Sequence, residues 1–503
     1  MSDTPLRVSM TIDPDAVLAP VNRRIFGSFV EHMGRGVYGG LYEPGHPSAD
    51  HDGFRTDVLA LVRELGVTIV RYPGGNFVSG YRWEDGVGPL SHRNARRDQA
   101  WHSLEPNTFG LDEFARWSAK AETDMMLAVN LGTRGAREAA ELVEYANVAG
   151  GTKFSELRRS HGRAMPYAVK TWFLGNEMDG PWQIGHKPAQ EYGQLAAKTA
   201  EAMRSVDPTL ELVACGSSAR SMPTFGSWDQ TVLEHCYEQV DLISAHAYYD
   251  PEASDLASFL ASGAAMEEQI REVAKITDRV GARMGTGKRI GISFDEWNVW
   301  YMGRHESRRA HTDWSHAPRL CEDEFTVTDA VVVGSLLITL LRNADRVALA
   351  CQAQLVNTIA PIHAEADLPA RATAIFHPFA LTSRFASGNI LRTSPSVPTI
   401  ATELHGEVPV FDTVVVSDDV AGSMTMFSVN RSVTDPADVK IDLSSLGTMQ
   451  VTEHLILARP NPTTSGIQAG GDGLQPAPWH LEHSELTLRL PPVSWSMVRF
   501  ASD

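Results

Sequence analysis

Between about residues 25 and 385 this chain alternates eight short apolar runs with segments whose apolar residues recur at spacings of three and four. The runs are Ile25–Glu31, Thr68–Tyr72, Met125–Asn130, Lys170–Asn176, Leu210–Cys215, Leu242–Ala247, Ile290–Asp295 and Val347–Gln352. Their length suits strands rather than helices. In Phe54–Leu65, by contrast, Phe54, Val58, Leu61, Val62 and Leu65 line one helical stripe. Leu111–Ala121, Ala136–Val148, Ala189–Arg204, Leu256–Val280 and Val327–Leu341 read the same way. Strand and helix alternating in this order predict an α/β fold, a (β/α)8 TIM barrel. An open doubly wound sheet is the alternative, because a sequence does not display strand order.

After about Phe385 the texture changes. Thr413–Val416, Ser423–Val429, Gln450–Leu457, Leu486–Leu490 and Ser494–Phe500 alternate or carry β-branched runs, and turn-rich stretches such as Pro460–Gly473 separate them. No long helical pattern follows, so a C-terminal antiparallel β-sandwich, jelly-roll-like, is expected. Val8, Met10 and Ile12 alternate ahead of the barrel and are expected to supply a strand to that sandwich. The expected domains are residues 1–20 with the sandwich, 21–385 as the catalytic barrel and 386–503 as the sandwich itself.

Parallel barrel strands all end on one rim, where barrel enzymes do their chemistry. Glu31, Glu177 and Glu296 stand at the ends of three different apolar runs, with Arg71 and Asn76 at the end of another. One such glutamate alone is best read as a salt bridge tying strand to loop. Three on separate strands are harder to explain as staples, and Glu177 with Glu296 supplies the two carboxylates that glycosidic cleavage needs. Two strand-to-helix connections, Pro73–Phe109 and Trp297–Phe325, are unusually long and carry Trp83, Trp101, Trp300, Tyr301 and Trp314. Long ordered loops on that rim are usually functional, and aromatic rings suit the apolar faces of sugars.

Composition removes several classes. The 503 residues hold 44 Lys+Arg against 62 Asp+Glu, a net charge of −18, which argues against nucleic-acid or anionic-membrane partners and suits a neutral substrate. The first residues have no apolar signal-peptide core, and the longest apolar run, Ala330–Leu341, is too short to span a membrane. Cys215, Cys236, Cys321 and Cys351 are widely spaced and read as reduced thiols, so the expected compartment is cytoplasmic. His46, His51, His246, His311 and His316 raise the question of a metal. Barrel metallohydrolases carry His-x-His at the end of the first strand, whereas this chain has Phe29-Val30-Glu31-His32, so no catalytic metal is expected and His246 reads as a hydrogen-bonded site histidine. Neither a strand-linked GxGxxG nor a Walker motif occurs, so no nucleotide cofactor is expected.

Four segments carry a resemblance: Phe26-Gly27-Ser28-Phe29-Val30-Glu31-His32, Arg71-Tyr72-Pro73-Gly74-Gly75-Asn76-Phe77, Gly175-Asn176-Glu177-Met178-Asp179-Gly180-Pro181-Trp182 and Phe294-Asp295-Glu296-Trp297-Asn298-Val299-Trp300-Tyr301. With them the chain resembles the α-L-arabinofuranosidases of glycoside hydrolase family 51, essentially from Arg7 to the C-terminus. The resemblance implies a retaining, exo-acting enzyme that releases terminal arabinofuranose from arabino- or arabinoxylo-oligosaccharides. It implies Glu177 as acid/base, Glu296 as nucleophile and Arg71 beside Glu296, steadying its charge and aim. Asn176 would bind the sugar 2-hydroxyl; Glu31, Asn76 and Gln354 would bind the other hydroxyls. Tyr248 would donate to Glu296, and Trp101 and Trp300 would wall the pocket. No cofactor is implied, and the resemblance implies a homo-oligomer of six copies. Rival readings are another retaining glycosidase of the same clan, a β-xylosidase or endoglucanase, and a non-catalytic carbohydrate-binding protein, with a metal-dependent barrel hydrolase more distant.

Overall fold

The computed structural model describes residues 5–309, 314–447, 449–458 and 473–502. Eight parallel strands form a closed barrel in chain order: β1 Gly27–Phe29, β2 Ile69–Tyr72, β3 Asp124–Ala128, β4 Thr171–Leu174, β5 Glu211–Ala214, β6 Leu242–Tyr249, β7 Gly291–Val299 and β8 Val347–Ala353. The ring closes where Cys351, Gln352 and Ala353 of β8 pair with Gly27, Ser28 and Phe29 of β1. Closure excludes the open sheet. Phe29, Met126, Phe173, Val213, Leu349 and Cys351 fill the interior, so the barrel is a packed core that carries its chemistry above it.

Most expected helices form, with informative differences. The long segment after β6 breaks at Ala261 into Leu256–Leu260 and Ser262–Met284, because Asp255 caps a separate first turn by accepting from the backbone N–H groups of Ala257 and Ser258. Lys153–Ser160 is an added helix with only Phe154 and Leu157 as apolar residues, too few to form a stripe. The connection after β7 is not continuous loop: β7 itself runs on to Val299, and Met302–Arg309 is helical.

Beyond the barrel lie two packed sheets. The larger has the order Val17–Pro20, Asn389–Leu391, Phe411–Asp418, Ser423–Asn430, Ser494–Ser502, Met449–Ala458, Leu474–Pro476. The smaller has the order Leu6–Thr11, Ala437–Asp442, Glu485–Leu490, Trp479–Glu482. Leu6–Thr11 pairs with Ala437–Asp442 in parallel, Val8 opposite Val439 and Met10 opposite Ile441. Every other pairing in these two sheets is antiparallel among the described residues. The turn-rich stretch Pro460–Gly473 lies, apart from Gly473, outside the described residues.

Period-two alternation gives the larger sheet two apolar faces. Val415, Met426 and Val498 pack between the sheets, while Val414, Val416, Phe427 and Met497 turn to the barrel. The element they meet is the helix Val327–Arg342, in which every residue from Asp329 to Leu341 is buried. A barrel helix is ordinarily apolar on one side only. This one is apolar all round because β-strands cover its outer side. Contact is close: a Cβ on Gly334 would lie 2.2 Å from Trp495 Cδ1, so any larger residue there would push the sheet away. A buried ion group completes the joint, with Asp412 between Arg342 of the helix and Arg431 of the sheet. Burial works against the Asp412 charge, but the two guanidiniums outweigh it and hold its carboxyl below the usual range. The sandwich therefore shares its core with the barrel.

Candidate active site

All the candidate site residues lie at or within a few residues of the C-terminal strand ends or in the two long loops. Arg71 lies in β2, Tyr248 in β6 and Glu296 in β7, with Glu31 just past β1, Asn176 and Glu177 past β4, and Gln354 past β8. In the first long loop, Asn76 begins a 3-10 turn, Asn76–Ser79, and is only partly buried. Gly175 and Glu177 both have left-handed backbone angles, φ 95° and 43°. That sharp turn lets the consecutive residues Asn176 and Glu177 both serve the site, at a cost of order 1 kcal/mol for the non-glycine Glu177.

Glu296 is held from two sides. Arg71 Nη1 donates to its Oε1 at 2.7 Å and Tyr248 Oη to its Oε2 at 2.8 Å. The same guanidinium donates through Nη2 to Asn176 Oδ1 at 2.7 Å and lies 3.3 Å from Asp295 Oδ2 through Nε. It is sandwiched between the rings of Phe29 and Phe173, 5.0 and 4.7 Å from their centroids. One buried cation thus serves two carboxylates and one amide. Burial opposes its charge, but Asp295 and Glu296 outweigh burial and raise its proton affinity further. For Asp295 burial is likewise opposed, and Arg71 first among its partners brings its carboxyl below the usual value.

No arginine meets Glu177 among the described residues. Its Oε1 meets His246 Nδ1 at 3.0 Å, and Trp182 Nε1 donates to its Oε2 at 2.7 Å. Burial raises its pKa, and the nearby Glu296 charge adds to this against the His246 contact. His246 in turn reaches Asp295 Oδ2 at 3.3 Å through Nε2, which also meets Ser244 Oγ at 3.0 Å. Burial disfavours its imidazolium, yet Glu296, Asp295 and Glu177 together raise its pKa well above normal. One oxygen of Glu177 lies within 4.8 Å of one oxygen of Glu296, with His246 between them.

The remaining candidates are linked around Glu31 and Tyr248. Glu31 accepts from the Phe77 backbone N–H and from Trp101 Nε1, both at 2.8 Å, and from Gln354 Nε2 at 3.3 Å. Burial nonetheless pushes its carboxyl up to about 8. Trp300 packs edge-on against Tyr248, ring centroids 5.1 Å apart. Asn176 Nδ2, Trp300 Nε1 and Gln354 Oε1 are buried with no hydrogen-bond partner among the described residues. Buried polar atoms are rarely left unpaired. Three of them on candidate site residues leave two donors and one acceptor open to a ligand.

Several expectations need adjustment. Trp83 packs against Tyr145, 5.2 Å away, and Phe154, and so fastens its loop to the barrel exterior. Trp314 stacks on His102 at the rim. Among the candidate histidines only His246 joins the site; His311 lies outside the described residues. All four cysteines are buried, and Cys215, Cys236 and Cys351 are thiols outside any disulfide. Glu177, His246 and Glu296 are close enough to hold a cation, but their polar atoms are already engaged by Arg71, Tyr248, Trp182 and one another. Asp295 and Trp182 were not foreseen as site residues. Strict alternation along β7 would turn Asp295 away from Glu296, but the pairing register shifts between Phe294 and Trp297, and both acids face Arg71. The Trp182 contact depends on turns that have no sequence period.

Comparison with known proteins places this arrangement. Two family models match: an alpha-L-arabinofuranosidase 1 domain over residues 61–258 and an alpha-L-arabinofuranosidase C-terminal domain over residues 295–494. The chain is 48% identical to an exo-alpha-(1->6)-L-arabinofuranosidase of Bifidobacterium longum, over 97% of this chain and 96% of that one. It is 46% identical to an intracellular exo-alpha-(1->5)-L-arabinofuranosidase of Bacillus subtilis, over 98% and 99%. Among solved structures, a family 51 alpha-L-arabinofuranosidase from Bifidobacterium longum superposes with TM-score 0.93 at 46% identity, covering 99% of this chain and 100% of that one. An arabinose complex of the Thermotoga maritima alpha-L-arabinofuranosidase gives 0.86 at 30%, covering 98% and 99%.

Proposed function

The chain belongs to the family 51 α-L-arabinofuranosidases, and from that premise we propose a retaining, exo-acting enzyme that releases terminal arabinofuranose from arabino- or arabinoxylo-oligosaccharides. Glu296 is its nucleophile and Glu177 its acid/base. The observation that carries this reading is the short span between the two carboxylates, an oxygen of one within 4.8 Å of an oxygen of the other. Retaining pairs stand about 5–5.5 Å apart, whereas inverting pairs leave about 6.5–9.5 Å for a water.

In the first step Glu296 attacks the anomeric carbon while Glu177 gives its proton to the departing glycosidic oxygen. Arg71 and Tyr248 hold both oxygens of Glu296, which aims the attack. The unpartnered Asn176 Nδ2 donates to the 2-hydroxyl, its Oδ1 being fixed by Arg71. Once Glu296 is esterified its charge is gone, and with it one reason for Glu177 to keep a proton. Glu177 then takes a proton from the incoming water, which displaces the sugar. Glu31, Asn76 and Gln354 bind the other hydroxyls, and Trp101 and Trp300 form the walls.

Relatives named for (1->5) and for (1->6) linkages support the substrate class and leave the linkage to experiment. The description of the (1->5) relatives as intracellular supports a cytoplasmic site of action; no helix among the described residues is long and apolar enough to cross a membrane. The reading includes assembly into a homo-oligomer, which light scattering of the purified chain checks. Activity is tested with a panel of 4-nitrophenyl glycosides: α-L-arabinofuranoside, β-D-xyloside, β-D-glucoside and β-D-galactofuranoside. Cleavage of the first, with the others slower by at least about 100-fold, is expected. Preference for the xyloside or glucoside would move the chain to another activity of the clan, and no turnover of any would favour a binding protein.

A further inference from the structure

Trp182 is folded back on Glu177 by two consecutive turns, Gly180 N–H to Glu177 O at 2.8 Å and Gln183 N–H to Gly180 O at 2.9 Å. The indole lies against the Gly180 backbone: a Cβ at that position would stand 2.6 Å from Trp182 Cε2 and 2.9 Å from Nε1. Gly180 has no left-handed φ, so its lack of a side chain serves the indole rather than the turn. Trp182 is nevertheless 46% exposed, whereas the Glu177 and His246 side chains beside it are 10% and 3% exposed. The two Glu177 oxygens are therefore unlike. Oε1 faces the buried His246, and Oε2 faces the exposed indole on the side from which a leaving group must come.

A carboxyl oxygen that carries the acid proton is a poor acceptor, and a glycosidic oxygen approaching Oε2 needs the space that the indole N–H occupies. We propose that Trp182 is a positioning residue that couples leaving-group binding to protonation of the acid/base. In the empty site its N–H bonds to Oε2 and favours the carboxylate. A leaving group entering beside Oε2 displaces the indole from Gly180, and the carboxylate, having lost a donor, takes a proton from solvent hydronium. That proton passes to the glycosidic oxygen as the bond to the anomeric carbon breaks, and the alcohol departs. The proposal rests on Glu177 being the acid/base.

The test is the pH dependence of Trp182→Phe, which removes the N–H but keeps an aromatic face, and of Gly180→Ala, which keeps the indole but denies it its seat. The kcat/KM profile reports the free enzyme and the kcat profile the substrate complex. With 4-nitrophenyl α-L-arabinofuranoside and an arabinobiose as substrates, both variants should move the alkaline limb of kcat/KM to higher pH. The alkaline limb of kcat should stay at its wild-type position, because the wild-type indole has already left Glu177 in the complex. At pH values above the wild-type limb the variants should therefore keep more kcat/KM than the wild type, and more so for arabinobiose than for the activated aryl substrate, which needs less proton assistance. An unmoved kcat/KM limb would overturn the proposal and leave Trp182 as a stacking face. Equal movement of both limbs would also overturn it, because it would mean a fixed bond with no displacement. If Trp182→Phe does not fold, Gly180→Ala decides by the same criterion. Failure of the functional reading itself looks different: the wild type would not cleave arabinofuranosides, or Glu177→Gln would leave the alkaline limb in place.

Discussion

The two sides of the barrel mouth bury a glutamate each and treat it in opposite ways. At β7, Glu296 is gripped by a guanidinium and a phenol, both fixed by packing, with Arg71 held between two phenylalanine rings. At the end of β4, Glu177 meets a histidine and an exposed indole among the described residues, and burial raises its affinity for a proton. A carboxylate that must attack carbon benefits from fixed donors that keep its lone pairs aimed. One that must lose and regain a proton benefits from the lack of a permanent cation. The chemistry is divided by what surrounds two identical side chains.

This contrast makes predictions of decreasing size. Glu296→Ala removes the atom that forms the covalent bond, and should cost roughly 10⁵–10⁶-fold in kcat for every leaving group. Glu177→Ala should cost about 10²–10⁴-fold with oligosaccharides yet much less with a dinitrophenyl arabinofuranoside. A common loss in both variants, independent of leaving group, would erase the distinction between the two sides. Removing the shared cation should be felt in stability. Arg71→Met removes the guanidinium from two buried carboxylates and leaves them to share His246, a destabilisation of about 3–5 kcal/mol measurable by urea unfolding. A change under about 1 kcal/mol would mean that the β7 side does not depend on its arginine. The smallest effect concerns protonation. Glu177 acts as an acid only while protonated, so activity should fall as pH rises through its raised pKa. Glu177→Gln, which cannot titrate, should abolish that alkaline limb in a kcat/KM profile. Retention of the limb would assign it to another group.

Much of the barrel was legible because each strand and helix repeats its own period and the order of elements prescribes parallel pairing. Glu31, Arg71, Glu177 and Glu296 were legible for the same reason, as strand-end residues, whereas Asn176, Tyr248 and Gln354 were implied by the family resemblance; all seven converge. What was not legible depends on irregularity. Asp295 reaches Arg71 only through a register shift in β7. Trp182 returns to Glu177 through two turns that rest on the small size of Gly180. The apolar helix Val327–Arg342 read as a buried barrel helix, but the sheet that buries its outer side comes from residues about 70 or more positions later. Local periodicity shows that a face is apolar and does not show what covers it.

The most direct test of the division between Glu177 and Glu296 is the anomeric configuration of the azide products of two variants acting on an α-L-arabinofuranoside with a good leaving group. In Glu177→Ala the covalent enzyme still forms and azide opens it, so two displacements should give the α-azide. In Glu296→Gly azide occupies the vacated space and attacks the substrate once, which should give the β-azide. Nuclear magnetic resonance of the two products distinguishes them. Opposite configurations are the predicted result, and the same configuration from both variants would contradict the assignment of nucleophile and acid/base.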